Sequence, residues 1–325
     1  MSTVEAPLHS WYPSPQTLLE RPLHNAIAVD PVGSCEVDDA IEIISDSISA
    51  DNFTARYHIA NGALLHGTPH IDSARKKAWS IYDDGGNHDL MLEQPVIDLL
   101  SLDRVCSTGV PAVMIQVEFC KEKGTSNVVL GLSRVDTQCV SHSEFEQGYY
   151  DGNPDFALLV NAARRIARRK GISVPMGESM AQDMVAAHMI EANATLATAL
   201  LKENVPILRR VHSDSAYEVW DNDAERRVLA SLGVALYDHR PNRHRALRLR
   251  HYTHGTSPLR RFADIVTQIN TQAFIEGNEP PYKKNDLQEI ARELTSIYIK
   301  RSVSFAAQKS RLEKKAAPKR ITVAA

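Results

Sequence analysis

The segment D30-P-V-G-S-C-E-V-D-D-A40 decides how the rest of the chain is read. Four carboxylates, Asp30, Glu36, Asp38 and Asp39, fall within ten residues, punctuated by Pro31 and Gly33. An apolar run (Ala26 to Val29) leads in and a strand-like run (Ala40 to Ser45) leads out, so the order is strand, tight acidic loop, strand. Neither Lys nor Arg occurs between Arg21 and Arg56 to neutralise these acids. Carboxylates crowded in this way raise one another's pKa or collect a hard divalent cation through oxygen ligands. A solvated acidic turn is the competing reading, and the flanking apolar strands weigh against it because they carry the loop to the end of a buried sheet.

Working outward, 325 residues with 43% hydrophobic and 24% charged content describe an ordinary globular chain able to bury a large core. The reading finds no apolar run near 18 residues and no export signal, which implies a cytoplasmic protein without a membrane span. Cys35, Cys106, Cys120 and Cys139 are scattered without CxxC spacing, which argues for reduced thiols rather than zinc or disulfides. Net charge is −3, but its distribution is uneven. Between His239 and Arg261 stand seven arginines and no acid, so an acidic segment near the start has a basic counterpart near the end. A fold that joined the two would make a site for a polyanion on a metal.

Residues 1–22, rich in proline, read as a loose lead-in, 23–308 as the main domain and 309–325 as a basic tail. Strands fill residues 26–61, a helix Pro69 to Trp79, and an antiparallel pair Ala112 to Phe119 and Val128 to Val135. Beyond Pro154 the pattern is helical: Phe156 to Lys170, Met180 to Lys202, Ala224 to Leu232, Pro258 to Ile275 and Lys284 to Lys315. Strands first and helices later predict an α+β fold. In H251-Y-T-H-G-T-S-P-L-R-R-F262, Pro258 suits a first helical turn and Thr256 or Ser257 its N-cap, which puts a helix N-terminus beside Arg260 and Arg261 as a phosphate site.

Four segments in collinear order, D-P-V-G-S-C-E-V-D-D-A (30–40), Y-H-I-A-N (57–61), A-R-K-K-A-W-S-I-Y (74–82) and Y-T-H-G-T-S-P-L-R-R-F-A-D (252–264), resemble the RNB catalytic domain of the ribonuclease II and ribonuclease R family. Weaker echoes are L-L-S-L (99–102), M-V-A-A-H-M-I-E-A-N (184–193) and R-R-V-H (209–212). The resemblance runs from about residue 25 to 305. It implies the RNB fold, a mixed sheet with helices around a narrow channel that leads to an acidic metal site. It implies, too, an exoribonuclease that shortens single-stranded RNA from its 3′ end, releasing nucleoside 5′-monophosphates with Mg2+, or Mn2+ in its place.

Carried over by position, Asp30, Glu36, Asp38 and Asp39 would be the metal and water-organising carboxylates and Arg260 the cation on the scissile phosphate. Tyr82 would stack on a base, and Tyr252, Ser257 and Arg261 would join Tyr82 and Arg260 on the RNA. Three departures stand out: Glu36 where the family usually has Asp, Asn61 in place of the last Asp of H-I-A-D, and Ala186-Ala187 where a Glu pair tied to ribose selectivity is common. The flanking cold-shock and S1 domains of the family have no counterpart in this sequence, so weaker RNA binding, or a protein partner that supplies such domains, is expected. The alternatives are a degenerate RNB domain that binds RNA without cutting it and a relaxed single-strand nuclease that acts also on DNA.

Overall fold

The computed structural model describes residues 11–47, 51–82, 88–122, 124–171, 179–212 and 235–316. The expected helix at 224–232 and the turn at 83–86 lie outside them. The chain enters through a short helix α1 (Pro15–Leu19), capped by the Ser14 side chain, which accepts from the Thr17 N–H. Residues 11–22 are not the loose lead-in expected from their prolines. Tyr12 and Leu18 are buried in the main core, and Arg104 donates to the Tyr12 hydroxyl at 3.0 Å.

Next come β1 (Leu23–Asp30), β2 (Asp39–Ile44) and β3 (Phe53–Ala60), a 3-10 turn (Gly62–Leu65), α2 (Pro69–Lys77), the short strands β4 (Ile81–Tyr82) and β5 (His88–Asp89), and α3 (Gln94–Leu100). Then β6 (Val110–Cys120) and β7 (Gly124–Ser141) complete a closed barrel in the order β1-β2-β3-β6-β7. Four of its five seams are antiparallel. An odd number of strands cannot close with every seam antiparallel, and the parallel seam here is β1 against β7, Leu23↔Arg134 through Asp30↔Ser141. Both strands of the expected antiparallel pair at 112–135 are present and longer than their apolar stretches suggest.

Alternation along the strands gives the barrel two faces. Val29, Ile41, Tyr57, Ile59, Ile115 and Val117 point outward and share a core with α4 (His142–Tyr150), α5 (Pro154–Lys170) and α6 (Met180–Lys202). Burying each of these large side chains is worth about 1.5–3 kcal/mol. Ala26, Ala28, Ala40, Ala60 and Ala112 lie on the opposite face, and such small residues let a five-stranded barrel close tightly.

The helices start where local chemistry tells them to. Ser141 and Glu144 form a reciprocal capping box for α4, and Asn153 with Pro154 opens α5, which ends on Gly171 in the left-handed region. By length and composition α6 meets the membrane-span test, with mean hydropathy 1.3, contrary to the expectation that the chain holds no such run. It is a core helix: 67% of that window is buried, and it encloses His188, Glu191 and Asn193.

A two-stranded sheet, β8 (Arg209–Val211) with β9 (Leu236–Asp238), precedes α7 (Phe262–Ile275) and α8 (Lys284–Ala316). Here α7 begins at Phe262, four residues after the expected start at Pro258. Asp264 is the reason. Its carboxylate accepts from the Ser257 N–H at 2.8 Å and from both arms of Arg261 at 2.8 and 2.9 Å, which holds residues 257–261 as a turn ahead of the helix. Arg261, extended at φ −140°, bridges to Trp79.

Candidate active site

The acidic loop is built at one end of the barrel, where β1 stops at Asp30 and β2 starts at Asp39. Gly33 turns the loop at φ +78°, in open space. Its second half is pinned by the neighbouring core: Val37 N–H donates to Ser101 Oγ at 3.0 Å, Leu102 N–H to the Val37 carbonyl at 3.0 Å, and Ala60 N–H to the Asp38 carbonyl at 2.8 Å. Ser101 and Leu102 come from the L-L-S-L echo, and Ala60 from Y-H-I-A-N. Motifs dispersed over 70 residues thus converge on one loop.

The turn 257–261 docks on the same loop from the far end of the sequence. Leu259 N–H donates to Asp38 Oδ1 at 2.8 Å, and Arg260 Nε lies 3.0 Å from Asp38 Oδ2. Arg260 Nη2 donates to Ser257 Oγ at 3.1 Å, which aims the guanidinium. Ser80 ties in the third motif: its N–H donates to the Arg260 carbonyl, its hydroxyl donates to Glu36 Oε1 at 2.9 Å and accepts from Met91 N–H. Tyr82 donates to the other Glu36 oxygen, Oε2. Ala78, at φ +66°, closes α2 and accepts the Phe262 N–H, so this strained residue joins the tyrosine-bearing segment to the arginine turn.

The four acids therefore have unequal partners. Both oxygens of Glu36 are engaged by Ser80 and Tyr82. Asp38, 2% exposed, is engaged by the Leu259 amide and Arg260; burial drives its carboxyl well above the usual range, with Arg260 pulling the other way. Asp30 and Asp39 accept no side-chain hydrogen bond among the described residues. Burial, followed for Asp39 by the charge of Asp30, lifts the two carboxyls to about 6 and about 7. Arg260 is held protonated, since Asp38 and Asp39 outweigh the cost of burial.

The fit of this set to a divalent cation follows from these partners. No three of the four acids bring ligand oxygens within 4.8 Å of one another. Mg2+ keeps several waters and is usually bound through one or two carboxylates; of the four acids, Asp30 and Asp39, without hydrogen bonds to their carboxylates among the described residues, are the pair that would be available to it.

The other expected site residues divide. Tyr82 is 47% exposed at the loop. Tyr252 is 6% exposed, packed edge-on against His244 and His254, and faces no open surface. Ser257 is buried beneath Arg260, and Arg261 is clamped by Asp264. Ala187 is buried in the outer core cluster, and Asn61 caps the 3-10 turn and donates to Gln272 Oε1 at 3.1 Å. The sequence reading assigns no role to Ser80, Asp264, Asn193 or Gln268. Asn193 brackets the turn through the Gly255 N–H and Thr256 Oγ1, and Gln268 joins Gly62 N–H to the Gly255 carbonyl. The first three stand inside the quoted motifs, where their presence is the available signal.

Comparison with known proteins bears on the fold. A family model described as the RNB domain matches residues 220–277. The fold superposes on RNase R of Mycoplasma genitalium with a TM-score of 0.70 at 20% identity, over 86% of this chain and 56% of that one. The chain is an RNB-domain protein by fold. Two further structures share the RNB fold with it: the Dss1 exoribonuclease of Candida glabrata (TM-score 0.69, 14% identity, 86% of this chain and 46% of that one) and yeast Ssd1, a pseudonuclease (0.70, 16%, 87% and 44%). This chain spans about half the length of these proteins. An uncharacterized ribonuclease of Synechocystis is 38% identical over 50 residues, 15% of this chain and 8% of that protein. The Mycoplasma RNase R is known in complex with single-stranded and with double-stranded RNA.

Proposed function

We propose that this RNB domain hydrolyses single-stranded RNA stepwise from the 3′ end to nucleoside 5′-monophosphates. The observation that carries the reading is Arg260 Nε at 3.0 Å from Asp38 Oδ2, which joins a cation to the acidic loop across some 220 residues of chain. Asp30 and Asp39 would hold Mg2+, or Mn2+, which when bound lowers the pKa of a water and polarises the phosphate. Arg260, aimed by Ser257 and kept charged by Asp38, meets the non-bridging oxygens where negative charge develops. Tyr82, exposed beside the loop, offers a stacking face worth about 1–3 kcal/mol per base regardless of sequence. Its hydroxyl bond to Glu36 fixes the ring. Glu36 is thereby a positioning residue rather than a metal ligand.

The second reading, an RNB domain that binds RNA without cutting it, is favoured by one observation: with Glu36 engaged by Ser80 and Tyr82, no three acids are gathered for a metal. One experiment separates the two. Purified protein with Mg2+ is expected to shorten a 5′-labelled oligo(A) ladder-wise with release of AMP, and Asp39→Asn to abolish this while leaving RNA retention intact. RNA held at full length in both Mg2+ and Mn2+ would establish the binding reading instead. A DNA oligonucleotide run alongside reads sugar selectivity.

A further inference from the structure

A second group of metal-ligating side chains lies inside the barrel, away from the acidic loop. His24 on β1, Glu42 on β2 and His58 on β3 bring Nδ1, a carboxylate oxygen and an imidazole nitrogen within 4.8 Å of one another. His24 Nδ1 is 3.0 Å and His58 Nε2 3.5 Å from Glu42 Oε2. Ligands at roughly 2.0–2.1 Å around a tetrahedral ion stand about 3.3 Å apart, so these two separations bracket an edge of such a site. His24 occupies the same strand face as Asp30, six residues back, and at about 3.3 Å per residue the two ends of the lumen are roughly 20 Å apart. This group is not part of the nuclease site.

The group is built as a ligand set is built. His58 is fully buried, and its Nδ1 sits 3.0 Å from Ser133 Oγ, the contact that fixes ring orientation and tautomer in metal-bound histidines. Its Nε2, buried and without a hydrogen-bond partner, faces Glu42. An unpaired nitrogen in a closed interior is costly, and a cation there removes the cost. Arg56 Nη1 shares these ligand atoms, 3.2 Å from Glu42 Oε2, 3.3 Å from Oε1 and 3.4 Å from His24 Nδ1, while its Nε is held by Gln116 Oε1 at 2.8 Å. It orients the carboxylate and weakens the site by its charge.

Along the β1–β2 seam one registered pair is formed, Ile27↔Ile41. A groove of ≈ 420 Å³ lies beside it, with Glu42 among its lining residues.

We infer that His24, Glu42 and His58 form a site for a borderline divalent transition metal, Zn2+ above all, that clips β1 to β2 and β3 where the barrel seam is least hydrogen-bonded. Two imidazoles and one carboxylate select such an ion over Mg2+. Its role is to hold the three strands together.

The test is zinc alone, titrated into the full chain carrying Asp39→Asn and competed against a chromophoric chelator, with thermal melts in parallel. The expected result is one equivalent of Zn2+ and a melt that rises with zinc. His24→Ala and Glu42→Gln each weaken binding at least tenfold and remove the zinc-dependent rise, while Arg56→Gln tightens binding by relieving like-charge repulsion. Failure to retain zinc, or equal retention by the parent, His24→Ala and Glu42→Gln, overturns the inference. So does Arg56→Gln loosening the ion, since the four side chains would then be an ion-pair network alone.

Discussion

Arg260→Ala tests the assembled site most directly, and its effects on stability and on catalysis separate. Folding loses the partner of Asp38, a carboxylate 2% exposed that keeps the Leu259 N–H on its other oxygen. Breaking a fully buried pair costs about 3–5 kcal/mol, but the Arg260 side chain is 45% exposed, so solvent screening reduces the expected loss to about 1–2 kcal/mol. Catalysis loses a charge at the position where the phosphate becomes more negative, and removing such a donor costs about 10²–10³ in kcat, or about 2.7–4 kcal/mol. Arg260→Lys keeps a point charge without the fork and is expected to recover part of the rate. The assay is single-turnover shortening of 5′-labelled oligo(A) well below the melting temperature of each variant, with Kd for the RNA measured separately. An Arg260→Ala protein that stays folded and cleaves within about threefold of the parent would refute the role. A change in Kd with the single-turnover rate unaltered would make Arg260 a binding residue and remove it from the transition state.

Two further outcomes follow from the same site and its supports. Asp30 and Asp39 have folded pKa values raised to about 6 and about 7 from a reference of 3.8, so the native state binds more protons than the unfolded one across that window. Stability from this pair is full below pH about 4 and is lost as pH rises through 6 and 7, on the order of a few kcal/mol. Metal-free protein should therefore melt at lower temperature at pH 8 than at pH 5.5, with Mg2+ restoring the loss at pH 8 and having little effect at pH 5.5; a melt indifferent to Mg2+ at pH 8 removes the pair as its site. Gly62→Ala places a Cβ 2.6 Å from Pro258 Cβ and 3.2 Å from Ile265 Cγ1, an overpacking worth about 1–3 kcal/mol. Because Pro258 carries the arginine turn, cleavage should fall further than the melt alone explains, and equal losses in the two would show the turn to be independent of Gly62.

What the sequence could tell depended on whether an interaction is local. Strand alternation and the helix start near Pro154 are decided by neighbours a few residues away, and those elements appear close to where the pattern puts them, whereas α4, opened by the equally local Ser141–Glu144 capping box, is absent from the sequence reading. The start of α7 is a failure of the same local logic. Pro258 and Ser257 satisfy every rule for a first turn, yet Asp264, six residues further on, takes the Ser257 amide and Arg261 together, and the turn is then fastened to Asp38 from across the chain. The acids behave likewise. Read along the chain, Asp30, Glu36, Asp38 and Asp39 are equivalent ligands; which of them remain free is decided by Ser80 and Tyr82, 44 and 46 residues from Glu36, and by Leu259, 221 residues from Asp38. Glu36 is the sharpest instance. It stands where the family usually has Asp, and both its oxygens end on the hydroxyls of Ser80 and Tyr82. The longer side chain at that position grips Ser80 and Tyr82 with both oxygens, and in the proposed function a cation would then fall to Asp30 and Asp39.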